Sequence, residues 1–257
     1  MSQKPIGIFD SGLGGITVLR SLAERFPHES FVYLGDIARL PYGNKSPETI
    51  RLYGLQIMRW LKNQDVKAII IACNSASSVF LGEESFEGIP LFNVIEPGAQ
   101  AVMKTGARSV AVLGTSATIR SKAYSRTLKE LNPKIEVEEI SCPLFVPLVE
   151  EGETEGIITK AVFDKYLLGL RSQNPEAVIL GCTHYPMLKK ALQAYLGSEV
   201  KLIESGEVLS GLLESLCQEK DSRQIRLCIT DLTDHFERLA REFLQGQAID
   251  SLEKVVL

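Results

Sequence analysis

Two cysteines stand in nearly the same setting, 109 residues apart. In "AIIIACNSASS" (68–78) an apolar run leads into Cys73 and turns abruptly polar, and in "AVILGCTHYPM" (177–187) the same happens at Cys182. A lone cysteine at the end of a buried strand is most often a small core hydrophobe; two in matching settings weaken that reading. A free thiol ionises near pH 8.5, so neutral solution supplies both a thiolate that takes a proton and a thiol that gives one. Two such groups facing one small pocket suit one reaction. A proton leaves a tetrahedral carbon on one face, another returns on the opposite face, and the stereocentre inverts.

Acid–base groups need neighbours that tune them. Asp10 in "FDSG" is placed to partner the first thiol, and His184, two residues after Cys182, the second. Asp10 would also serve as a cap for the helix that begins near Gly15, and the two roles are compatible. A histidine alone is more often structural or superficial; the place of His184 beside Cys182 reverses that. Glu150 in "LVEEG" is a further candidate, yet it lies beside Glu151 and Glu153, and a charge run is usually a solvated face, so local sequence does not select it. The turns "DSG", "PYG", "CNSAS", "GTSAT" and "CTH" are rich in hydroxyls and backbone donors, which hold carboxylates without an arginine and stabilise charge as a carbanion forms. "SGLGG" resembles a phosphate loop, but Thr17 stands where G-x-G-x-x-G needs its last glycine, so no nucleotide site is expected. Cys142, Cys217 and Cys228 lack a polar turn and read as structural.

These groups must be positioned by elements. Short apolar runs at 6–10, 30–36, 68–73, 91–95, 109–114, 135–140, 177–182 and 200–205 read as strands, alternating with amphipathic segments such as "GITVLRSLAERF", "PETIRLYGLQIMRWLKNQ" and "SKAYSRTLKEL". Trp60 falls on the apolar side of the second of these helices and is assigned to the core. Alternation of this kind predicts an α/β fold of mostly parallel sheets flanked by helices. In open sheets of that type the functional crevice lies beyond the carboxyl ends of the strands, where Asp10, Cys73, Thr115 and Cys182 all fall. A weak repeat adds to this: Asp10 to Cys73 spans 63 residues and Thr115 to Cys182 spans 67, each opening on a strand with a small-residue turn and closing on a strand with a cysteine. Two pseudo-symmetric lobes with a cleft between them are the simplest account. The tail, with a helix over 206–220, a strand at "IRLCIT" and a helix at "DHFERLAREFLQ", has no counterpart and is expected to return to the first lobe. That divides the chain into residues 1–97 plus 207–257 and residues 98–206, with the first crossover near 95–102.

Composition narrows the partners. The 257 residues are 45% hydrophobic and 23% charged, with a net charge of −4 and no basic block, so neither nucleic acid nor a membrane surface is indicated and a small molecule is the expected partner. No signal peptide and no membrane span are read in the chain. Five widely spaced cysteines without a CxxC pair argue against a disulfide framework or a metal site, and favour reduced thiols in the cytoplasm. The oligomeric state is left open, a homodimer among the options.

The stretches "IGIFDSGLGGITVL", "YLGDIARLPYG", "IIIACNSAS", "VAVLGTSATIRSKAY", "PLFVPLVEEG" and "VILGCTHYP" together closely resemble the pyridoxal-phosphate-independent aspartate/glutamate racemases, and within them the glutamate racemases. The match runs in order from about residue 6 to 206, and "FERLAREFL" in the tail is compatible. The resemblance implies cofactor-independent interconversion of L- and D-glutamate, supplying D-glutamate for peptidoglycan. It implies two acid/base residues, Cys73 and Cys182, supported by Asp10, Glu150 and His184. Substrate would be held by Asp10, Ser11, Pro41, Tyr42, Gly43, Asn74, Ser75, Thr115, Thr118, Thr183 and His184. Ser75 stands where the family commonly has threonine, which keeps the hydroxyl and removes a methyl. Some members carry an N-terminal extension linked to activation by a cell-wall precursor; the chain opens directly before its first strand, so no such regulation is expected. The rivals are a racemase for aspartate or another amino acid, a thiol hydrolase with Cys182 as nucleophile and His184 as base, and a non-catalytic binding module. The hydrolase leaves Cys73 unexplained, and the binding module predicts the loss of a cysteine or its tuner.

Overall fold

Strands buried along their whole length need helices on both faces, and the chain supplies them in alternation. A computed structural model describes residues 4–217, 223–232 and 234–257. The chain begins with β1 (Ile6–Asp10), α1 (Ile16–Arg25), β2 (Phe31–Gly35), α2 (Pro47–Asn63), β3 (Ala68–Ile71), α3 (Asn74–Val79), a two-residue β4 (Ser85–Phe86), β5 (Ile89–Asn93) and α4 (Ile95–Thr105). The middle holds β6 (Ser109–Gly114), α5 (Ser116–Ser121), α6 (Ala123–Leu131), β7 (Glu136–Ser141), α7 (Phe145–Glu150), α8 (Ile157–Gln173), β8 (Ala177–Gly181), α9 (Lys189–Leu196) and β9 (Lys201–Glu204). Then come α10 (Ser205–Leu213), β10 (Ile225–Ile229), α11 (Asp234–Leu244) and β11 (Ser251–Lys254).

The strands form two sheets, one ordered β11-β10-β2-β1-β3-β5-β4 and the other β7-β6-β8-β9. Every pairing is parallel except that of β4 with β5. The α/β class and the two lobes read from the sequence are therefore present. All strand carboxyl ends within a parallel sheet lie on one edge, so Asp10 and the residues after β3 share an edge of the first sheet, while Thr115 and Cys182 share one of the second. The tail strand β10 lies between β2 and β11, pairing Ile225 with Phe31 and Ile229 with Gly35.

Local chemistry sets the element boundaries. Ser46 caps α2 by accepting the Thr49 N–H, Pro47 opens the helix, and Ile50, Ile57, Met58 and Leu61 form its buried stripe. Trp60 does not join that core. It flanks the stripe and is half-buried against its rim, because one residue of helical rotation from Leu61 turns it towards solvent. The strand expected at 91–95 runs instead from Ile89 to Asn93, where the Asn93 side-chain oxygen accepts the N–H groups of Ile95 and Glu96 and starts α4. The helix expected over 206–220 ends at Leu213; residues 218–220 lie outside the described residues. Edge strands β4 and β11 are additions that short, polar sequences such as "SLEK" did not signal. No helix among the described residues is long and apolar enough to cross a membrane.

Candidate active site

The stretch after Cys73 is more than a polar turn: α3 begins at Asn74, so Cys73 stands at a helix start directly beyond β3. Beyond β8 the chain follows Cys182 with Thr183 and His184, then a short 3-10 turn over Tyr185–Leu188 before α9. Both thiols are nearly buried, 5% and 7% exposed, and each belongs to a different apolar cluster. They nonetheless line one cavity of about 250 Å³.

Around Cys73 the neighbours are a hydroxyl and a carboxylate. The thiol donates to Ser11 Oγ at 3.6 Å. Asp10 does not supply that bond: its Oδ2 accepts the Gly12 N–H at 2.8 Å, and its Oδ1 accepts the Thr183 hydroxyl at 3.2 Å. Burial, followed by the negative charge of Asp10, pushes the Cys73 thiol up to about 12. Asp10 is itself raised above the usual carboxylate range by burial, against an opposing pull from His184. A carboxylate from the first sheet is thus wired to the turn that follows Cys182.

Around Cys182 the neighbour is an imidazole. His184 Nδ1 lies 3.9 Å from the Cys182 sulfur, and Nε2 lies 3.2 Å from Glu150 Oε1. Burial would favour neutral imidazole, but the hydrogen bonds to Cys182 and Glu150 and their charges outweigh it and hold His184 at about 10. It is therefore cationic at neutral pH. Phe243 of α11 packs edge-on against its ring, with centroids 5.6 Å apart. Close approach of the lobes here depends on Gly14, where a Cβ would stand 2.3 Å from Thr183 Oγ1 and 2.5 Å from His184 Nδ1. Thr17 closes the contact, its hydroxyl donating to the carbonyls of Gly14 and Thr183.

Hydroxyls and amides furnish the rest of the cavity. Ser75, Thr115 and Thr118 form a triangle with edges of 2.9, 3.1 and 3.3 Å. Thr115 also caps α5, accepting the Thr118 N–H. Pro41, Tyr42 and Gly43 reach the cavity on a loop tied down by buried Asp36, which accepts from Arg39, Thr230 and the Tyr42 hydroxyl. The Tyr42 phenol is thereby committed to Asp36. Asn74, Thr183, Ser11 and His184 complete the expected set at the wall, whereas Asp10 and Thr118 sit behind it, 0% and 1% exposed. Leu40, Asn44, Ser116, Pro143, Val146 and Pro147 also line the cavity and were not singled out. The last three belong to "PLFVPLVEEG", whose two prolines in an apolar run were the available signal. Cys142 is buried, its thiol donating to the Ile140 carbonyl, and Cys228 is buried in the cluster that holds Cys73. Among the described residues no three His, Cys, Asp or Glu side chains converge as a metal site would require.

Comparison with known proteins places the chain in a family. The sequence profile of the Asp/Glu/Hydantoin racemase family matches residues 14–213. The chain is 41% identical over 259 residues to the glutamate racemase of Geobacter metallireducens, covering 97% of this chain and 96% of that one. It is 43% identical over 247 residues to that of Aquifex aeolicus, covering 95% of each. The crystal structure of glutamate racemase from Francisella tularensis in complex with D-glutamate superposes with a TM-score of 0.92 at 39% identity, covering 100% of this chain and 98% of that one.

Proposed function

The chain belongs to the Asp/Glu/hydantoin racemase family, and on that premise we propose that it interconverts L- and D-glutamate by proton transfer through Cys73 and Cys182. One observation carries the reading: two thiols from two different sheets line a single small cavity. Glutamate held there presents its Cα between them. In one direction Cys182 takes the α-proton as a thiolate while the Cys73 thiol delivers a proton to the other face, and the roles exchange in reverse. His184, at hydrogen-bond distance from the Cys182 sulfur and backed by Glu150, passes protons to and from that side. Ser11 holds the Cys73 sulfur, and Asp10 acts on it through charge. Asn74 binds a carboxylate, while backbone donors at the starts of α3 and α5 and the hydroxyl triangle bind the carboxylates and stabilise the carbanion as it forms. The setting of the activity would be the cytoplasm and its product would feed peptidoglycan synthesis.

The test is optical rotation of L-glutamate and, separately, L-aspartate incubated with purified protein and no added cofactor. Glutamate is expected to lose its rotation, and aspartate turned over faster than glutamate would overturn the substrate assignment. Loss of activity with a carbonyl reagent or a chelator would overturn the thiol-only chemistry.

A further inference from the structure

Tyr124 lies in α6 of the second lobe, 1% exposed, and none of the chemistry above uses it. Its ring lies between α4 and β8, close against a glycine on either side. A Cβ at Gly98 would stand 3.3 Å from one ring edge, and a Cβ at Gly181 would stand 3.3 Å from the other. Gly181 immediately precedes Cys182. The phenol hydroxyl donates to Asn74 Oδ1 at 2.7 Å, and Asn74 immediately follows Cys73. One side chain therefore touches the neighbours of both thiols.

In this arrangement the phenol supplies the proton and the Asn74 amide oxygen accepts it. With Oδ1 occupied by the phenol, Nδ2 is left as a donor. Asn74 is 2% exposed and lines the cavity, and its Nδ2 has no hydrogen-bond partner. A buried amide N–H without an acceptor is costly, so such an atom on a residue that lines the cavity marks the place of a ligand acceptor. A carboxylate oxygen is the matching group. Rotation of the amide by 180° would instead aim Oδ1 at that carboxylate and repel it.

We propose that Tyr124 is a positioning residue that locks the Asn74 amide with its donor edge towards a substrate carboxylate. The proposal rests on the reading of the cavity as a glutamate site. Tyr124→Phe keeps the ring in its slot and removes only the hydroxyl. It should raise KM for glutamate roughly tenfold or more, the size of one hydrogen bond to a charged group, with the loss carried in KM and not in kcat. In an Asn74→Ala background the same change should have no further effect, because the group it orients is gone. Asn74→Asp, which still accepts the phenol proton and has no donor, should weaken glutamate at least as much.

Calorimetric binding of D-glutamate to each variant, with melting temperature as the check on folding, is run beside the kinetics. An unchanged KM in folded Tyr124→Phe, an equal effect with and without Asn74, or a loss confined to kcat would each overturn the proposal. Should Tyr124→Phe not fold, Asn74→Asp binding glutamate as tightly as the parent would overturn it. Parent protein that binds glutamate without racemising it would sink the catalytic reading and leave the binding comparison to decide this one; parent protein that does not bind glutamate sinks both.

Discussion

The two cysteines share a backbone frame and differ in what surrounds it. Each follows a buried parallel strand, β3 or β8, and each is succeeded by helical structure. Cys73 has a serine hydroxyl at its sulfur and a buried carboxylate nearby, and is pushed up to about 12. Cys182 has an imidazole at 3.9 Å, held by Glu150 and cationic at neutral pH. The frame is symmetric and the proton routes are not. A repeat in the fold can bring two like atoms to one substrate carbon and still load each side with different partners.

The comparison breaks most completely if either thiol proves dispensable. Cys73→Ala and Cys182→Ala should each lower racemisation by at least about 10²–10⁴-fold, the usual contribution of an acid–base group, with the melting transition retained. Either variant retaining near-parental activity by polarimetry would end the two-sided reading. Heavy water gives a second large effect. At low conversion from unlabelled L-glutamate, the D-product should carry deuterium at Cα from its first molecules while recovered L-glutamate stays largely unlabelled. Early deuterium in the starting enantiomer, read by NMR or mass spectrometry, would instead point to a single base.

His184→Asn sharpens the asymmetry. It should lower kcat more than it weakens binding. The equilibrium constant between enantiomers is one, so kcat/KM must fall equally in both directions and cannot reveal the side affected. Isotope effects can. With proton transfer at Cys182 slowed, the effect of α-deuteration should rise for the enantiomer whose proton Cys182 removes and fall for the other. Equal changes for both would place His184 outside the Cys182 route. Asp10→Asn is expected to disturb both, since Asp10 contacts Thr183 on the second lobe as well as influencing Cys73.

A smaller effect is thermodynamic. A histidine held at about 10 when folded, against an ordinary 6.5, binds its proton more tightly in the native state. Its stabilisation is complete below pH 6.5 and disappears as pH rises through about 10. The Cys73 thiol, about 12 against 9.0, adds a loss of the same sign above pH 9. Melting temperature should therefore fall with rising pH over this window, and His184→Asn should flatten the curve above pH 6.5; an unchanged slope would contradict the cationic assignment. Smallest of all, Cys228→Ala, at a buried residue that does not line the cavity, should leave kcat within about twofold.

How much of this could be read from the sequence follows from what periodicity reports. Apolar runs mark strands buried on both faces, and the polar residues after them mark the carboxyl edge, so Cys73, Cys182, Thr115 and Asp10 were placeable from pattern alone. Pattern does not report which loops meet. Glu150 stood in an ordinary acidic run, where the family resemblance but not local pattern selected it; the fold of α7 against the His184 turn is what sets it apart physically from Glu151 and Glu153. The bond from Asp10 to Thr183 joins residues 173 apart in the chain. The Tyr124 contact likewise depends on two glycines, in α4 and β8, that carry no periodic signal. Trp60 was misread because helical spacing gives the centre of an apolar stripe better than its rim.

The position of β10 has a consequence for how the molecule is made. Residues 225–229 insert beside β2, whose partner residues 31–35 leave the ribosome almost two hundred positions earlier. Until the tail is synthesised, β2 is an unpaired apolar edge, the kind of surface on which nascent chains aggregate. Phe243, the ring packed on His184, arrives later still. Pairings of such long sequence separation form slowly. A chain stopped before residue 225 would hold both cysteines and every residue that lines the cavity, yet expose that edge and lack the prop behind its imidazole. Synthesis of β10 and α11, and not the appearance of the second thiol, is the step that covers β2 and backs the His184 ring.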